Sequence, residues 1–133
     1  MKKSIIAMIT AAVLAAATLA MAAGPAAPLS TPTLKKTIAS NGKPTLIFFE
    51  NPNGAPCRMQ KALLDLLVEK RKNNFNLASV STLVKNDQKG FYDYGVRSLP
   101  TLVLVDKAGR IGKVFPPGIQ SIESIALALD GLK

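Results

Sequence analysis

The chain has 133 residues, enough for one domain and not two. It holds no histidine and a single cysteine, which removes histidine acid/base catalysis, histidine metal ligands and the usual zinc constellations. Its formal net charge of +9 is scattered, with no basic patch interleaved with aromatics, so it reads as a soluble basic surface and argues against nucleic-acid binding.

Residues 1–22 read as a secretory signal peptide. Lys2 and Lys3 supply the positive start, residues 5–19 an uncharged apolar run, and Ala20-Met21-Ala22 a small-residue cleavage site. The rival reading is an uncleaved anchor, since residues 5–23 are nearly long enough to span a bilayer. The alanine content, the cleavage site and Pro25 close behind it favour removal. The expected location is therefore periplasmic or secreted, with membrane contact only if the segment is retained. In an oxidising compartment one cysteine cannot form an intramolecular disulfide. The thiol is either buried and inert or pairs with another molecule.

After the signal, residues 23–33 read as a flexible lead-in rich in Pro, Ala, Ser and Thr. Residues 34–133 then form the domain. A short helix is expected over 33–40, closed by Asn41-Gly42. Pro44 holds Lys43 extended, and a strand follows over 45–49. Its apolar residues run without alternation, as in a central strand covered on both faces. Residues 51–56 are turn formers. The main helix is expected over 57–72, with Met59, Leu63, Leu66 and Leu67 as its apolar stripe. A weaker strand pattern covers 75–84 and a short helix 86–94. A loop over 96–100 leads to a second continuous apolar strand, 101–105. Asp106 to Gly109 make a hairpin turn, and 110–115 return as its partner. Pro116-Pro117-Gly118 break the chain. Residues 121–132 form the closing helix, with Ser121 as N-cap and Ile122, Ile125, Ala126 and Leu129 facing inward. A βαβ unit followed by a β-hairpin and a helix requires a mixed α/β sheet with helices on both faces.

The order and several local strings resemble the thioredoxin family over residues 44–130. Lys43-Pro44 before an apolar strand is similar to the family's entry to its central strand. Ala55-Pro56-Cys57-Arg58-Met59 resembles the second half of its Cys-Gly-Pro-Cys motif and the helix start. Tyr94-Gly95-Val96-Arg97-Ser98-Leu99-Pro100-Thr101 is similar to the segment carrying its cis-proline, and Asp106 to Arg110 to the hairpin after it. The resemblance implies a three-layer sandwich with a central four-stranded mixed sheet. It also implies a peptide-binding groove at Leu99-Pro100, bordered by Gly54 and Pro56, with no cofactor and no metal. Departures from the family pattern bear on chemistry. The nucleophilic first cysteine falls on Gly54, its preceding tryptophan on Asn53, and the buried acid on Phe48. A dithiol cycle needs two sulfurs, so this chain cannot run one alone.

Three readings of Cys57 stay open. It is a structural thiol, a monothiol that makes mixed disulfides with protein thiols or small thiols, or incidental to a non-catalytic module that binds extended peptides. The helix start and Arg58 would favour the thiolate. Glu50 follows the first strand and is expected to be a solvated strand-end charge. Tyr92 and Tyr94 are expected to pack a short helix on the sheet.

Overall fold

The computed structural model describes residues 24–132; the signal-peptide reading of 1–22 lies outside the described residues. The elements in order are α1 Pro32–Thr37, β1 Thr45–Glu50, α2 Ala55–Arg71, β2 Asn76–Ser81, α3 Gln88–Asp93, β3 Thr101–Val105, β4 Ile111–Val114 and α4 Ile122–Gly131. Single 3₁₀ turns, Lys72–Asn74 and Lys85–Asp87, precede β2 and α3. The sheet order is β2-β1-β3-β4, with β1 parallel to β2 and antiparallel to β3. This is the mixed four-stranded α/β sandwich expected from the pattern.

The unbroken apolar run of β1 has a direct cause. Leu46 and Phe48 belong to one core with Leu64 and Leu67 of α2 and Ile125 of α4. Ile47 and Phe49 belong to a second core with Leu34 of α1, Val80 of β2 and Val103 of β3. All six residues of β1 are buried, and its polar members, Thr45 and Glu50, stand at the two ends, so neither face leaves a polar alternate inside the strand. Each such large side chain stabilises the fold by roughly 1.5–3 kcal/mol through burial.

Helix α2 departs from its expected register. It starts two residues early, because Pro56 in the first turn needs no N–H partner and presets the backbone. Its end comes at Arg71, where Lys72 turns to φ +50 and closes on Val68. The buried positions are Cys57, Gln60, Leu64 and Leu67, while Met59 and Leu66 are 60% and 50% exposed. The stripe read from the sequence is therefore rotated, and only Leu67 belongs to both faces. A polar residue, Gln60, follows Cys57 on the true inner face, and counting apolar positions passes over it.

Residues 24–31, expected as a flexible lead-in, are packed along the β3–β4 hairpin. The Ala27 N–H donates to Gly109 O at 2.9 Å, the Ile111 N–H donates to Pro25 O at 2.8 Å, and Ala26 bridges to Arg110. Ala27 and Thr31 are buried, and the Thr31 hydroxyl caps α1 by accepting from the Leu34 N–H at 3.1 Å. Among the described residues no helix is long and apolar enough to cross a membrane.

Candidate functional site

Strand β1 delivers Glu50 and Asn51 to the edge of the sheet, and a tight turn reverses the chain into α2. The Asn51 carbonyl accepts from the Gly54 N–H at 2.9 Å, and its side-chain oxygen accepts from the Asn53 N–H at 3.1 Å. The asparagines thus serve as turn formers, as their type suggests. Gly54 is the N-cap, in ordinary extended geometry (φ −83°, ψ 135°), and makes no side-chain cap bond. Cys57 is the third helical residue, one turn on.

The Cys57 sulfur points back under the turn. Its Sγ accepts from the Asn51 N–H at 3.4 Å, and the residue is 2% exposed. It packs in the core that holds Phe48 and Leu64. The Arg58 guanidinium, expected beside the thiol, instead donates to Asn53 O at 2.7 Å on the outer side of the turn. Pro56 is exposed and Gly54 half-buried.

Opposite this turn lies the start of β3. Phe49 pairs with Thr101 in the antiparallel register, which carries Pro100 level with Glu50 and so beside the helix start. The Leu99–Pro100 peptide bond is cis. The Thr101 hydroxyl donates to Ser98 O at 2.6 Å, and Pro100 O accepts from the Gly118 N–H at 2.9 Å. Leu99 is half-buried, with its side chain against both cores. Its own N–H and C=O make no hydrogen bond with the described residues. The register therefore puts Leu99 and Pro100 at the same end of the sheet as the turn carrying Gly54 and Pro56, and Leu99 packs against the core that contains Cys57.

Two residues of this region escaped the sequence reading. Gly118 sits at φ +111, a backbone that side chains rarely adopt, and so brings its N–H onto Pro100. Gln60 ties the loop after β4 to α2, with its Oε1 accepting from the Gln120 N–H at 2.6 Å. The Pro116-Pro117-Gly118 string was a signal for a special turn, but nothing local tells that the turn folds back on Pro100.

Glu50 corrects the expectation of a solvated charge, being only 7% exposed. Burial raises its carboxyl above the ordinary range, against partial relief from the Ser79 hydroxyl and the Lys61 ammonium. The strand is one residue longer than expected, which draws Glu50 under α2. Tyr94 packs on the sheet, 5.2 Å from the Phe49 ring, and its hydroxyl donates to Pro28 O at 2.7 Å. Burial and the neighbouring Asp93 charge push its pKa up to about 12. Tyr92, also expected on the sheet, is 86% exposed. A cavity of 290 Å³ lined by Pro44, Arg71, Phe75, Lys107, Leu129 and Leu132 lies at the other end of the sheet. It shares no residue with the cysteine turn.

The model of a thioredoxin-like domain matches residues 32–133. Thioredoxin of Porphyra purpurea is 27% identical over 81 residues, covering 61% of this chain and 74% of that protein. Thioredoxin 1 of Synechococcus elongatus is 27% identical over 89 residues, covering 67% and 81%. A solved chain described as "Structure of a malarial protein" superposes with a TM-score of 0.58 at 17% identity, covering 66% of this chain and 94% of that one, and shows the shared fold. With its sheet order, its helix-start cysteine and its matched span, the chain belongs to the thioredoxin-like domain family, with a motif that keeps one cysteine, Cys57.

Proposed function

We propose that this is an exported thioredoxin-like protein of thiol–disulfide metabolism that holds extended segments of partner proteins and does not cycle a disulfide of its own. One observation carries the reading. The only thiol, Cys57, is 2% exposed, while the Leu99 N–H and C=O make no hydrogen bond with the described residues. Backbone groups left open at a strand start offer pairing to an extended peptide. A buried lone thiol offers poor access to an attacking or attacked disulfide. The leader pattern of residues 1–22 supports export to the periplasm or beyond.

The test uses reduced, carboxymethylated insulin B chain as an unfolded, thiol-free probe. Titrated into ¹⁵N-labelled protein, it is expected to shift Asn53, Gly54, Leu99 and Gly118 with a Kd on the order of 10 μM to 1 mM. Cys57→Ser is expected to bind it equally well. Absence of shifts at millimolar probe, or shifts scattered over the surface, overturns the reading.

A second reading has its own observation. The Asn51 N–H donates to Cys57 Sγ at 3.4 Å, and the sulfur lies in the first turn of α2, an arrangement that suits a monothiol forming one mixed disulfide with a partner or a small thiol. Intact mass after exposure to oxidised glutathione separates the two. Rapid adduct formation on the folded protein, absent in Cys57→Ser, supports the monothiol. Modification only on unfolding supports the holding role.

A further inference from the structure

Gln60 lies one turn beyond Cys57 on the inner face of α2 and is wholly excluded from solvent. Its amide spends both of its groups on a single residue. Oε1 accepts from the Gln120 N–H at 2.6 Å, and Nε2 donates to Gln120 O at 3.1 Å. The Gln120 backbone is held as a strand partner would hold it. Burying an amide is costly unless it is paired, and a methionine would fill a similar volume with no such requirement. Packing alone therefore does not explain a glutamine here.

The segment it grips is residues 116–121, between β4 and α4. Its other ties point toward the candidate groove. Gly118 donates to Pro100 O at 2.9 Å, and the Gln120 side chain donates to Pro116 O at 2.9 Å, closing the loop on itself. The loop is thus fastened to the Leu99-Pro100 segment at one point and to the helix bearing Gly54 and Cys57 at another. Gln60 makes the second fastening.

We propose that Gln60 is a positioning residue for the peptide groove: it fixes the spacing between the start of α2 and the loop carrying Gly118 and Ile119, and so the width available to an extended peptide lying on Leu99. This deepens the holding role proposed above and rests on it. Ile119 is 41% exposed beside that loop, an apolar side chain available to a bound segment. With the clamp gone, only the Gly118–Pro100 bond is left to hold the loop, which opens more often and no longer tracks the helix.

Two variants and two readouts test this. In Gln60→Met, amide hydrogen exchange at Gln120 and Gly118 should speed up at least about tenfold, with β1 and β3 amides unchanged. The Kd for carboxymethylated insulin B chain should rise by about tenfold. In Gln60→Glu at neutral pH the carboxylate faces Gln120 O and cannot donate, so the same losses are expected. On acidification the neutral acid both accepts from the Gln120 N–H and donates to Gln120 O, as the amide does. Protection and affinity should then return toward wild type, measured over the same pH range as control. A purely space-filling Gln60 would instead leave Gln60→Met, of similar volume and uncharged, at wild-type exchange and affinity. Unchanged Gln120 exchange with affinity within twofold in Gln60→Met, or no pH recovery in Gln60→Glu, overturns the proposal. If Gln60→Met does not fold, the acid recovery of Gln60→Glu decides alone. Should the wild type fail to bind the B chain, the holding role falls, and unaltered exchange at 118–120 in the variants would separately remove the clamp.

Discussion

Substituting Gly54 by cysteine places a second sulfur one turn before Cys57, where the family pattern puts its attacking residue. The backbone there already has φ −83° and ψ 135°, so a side chain meets no conformational strain. A Cβ would lie 3.3 Å from Asn51 O and 4.0 Å from Asn51 Cβ, a tight but accommodable fit. Loss of a glycine stiffens the unfolded chain and stabilises the fold by about 0.4–1 kcal/mol. Replacing a glycine N-cap offsets this by about 0.5–1 kcal/mol. Net stability should therefore change by less than about 1 kcal/mol, a Tm shift within about 4–8 °C for a domain of this size. At the N-cap the introduced sulfur can accept from the Cys57 N–H, which favours its thiolate. That thiolate attacks an insulin disulfide, and Cys57 then displaces the insulin thiol. The products are reduced insulin and a disulfide within the protein, which dithiothreitol reduces for the next turnover. The assay is insulin precipitation driven by dithiothreitol. Wild type should match dithiothreitol alone, and Gly54→Cys should exceed it severalfold. A variant that forms its internal disulfide by mass, keeps its Tm and still gives no acceleration would refute the placement of a peptide groove at Leu99-Pro100.

Three further outcomes follow from the packing. Leu64→Ala should lose about 2–5 kcal/mol in urea unfolding, and Met59→Ala less than about 0.5, the reverse of what the sequence stripe implies for Met59. Because burial raises the Glu50 carboxyl, its contribution to stability is fullest below the unfolded carboxyl range and is lost as pH rises through the raised folded value. Glu50→Gln should accordingly melt higher than wild type at neutral pH, with the gap closing below about pH 4; a lower melting point at pH 7 would contradict the burial argument. Tyr94 should ionise only near pH 12 by phenolate absorbance. Tyr94→Phe, which frees Pro28 O, should cost about 1 kcal/mol and speed proteolytic cleavage within residues 24–31.

The central strands were legible because burial on both faces leaves a mark in every residue of 45–49 and 101–105. The closing helix was legible for a different reason: Ser121 caps it by accepting from the Ser124 N–H at 3.1 Å, a local interaction written in local sequence. The main helix was found but rotated. Its inner face is decided by Gln60 reaching a residue sixty positions away, which no window of eighteen residues contains. The lead-in was misjudged in the same way. Proline and alanine composition describes a chain without partners, and its partners are Gly109, Ile111 and Tyr94. Around the cysteine, the turn chemistry could be read directly. Glu50 could not, since its burial depends on what α2 lays over the strand end.

The packing of residues 24–27 on the hairpin bears on how the molecule behaves in crowded solution. A sheet edge is a template for other chains, and β4 is such an edge. Here the bridge of Ala26 to Arg110 covers its beginning, exposed Lys113 puts a charge within it, and Pro116 and Pro117 follow just past Phe115. Each of these discourages a neighbouring strand from adding on. The protein can therefore leave the Leu99 backbone open at one end of the sheet while its flank resists zippering with other copies. Open main chain at Leu99 thus coexists with a guarded β4 flank, and colloidal stability is kept along that border.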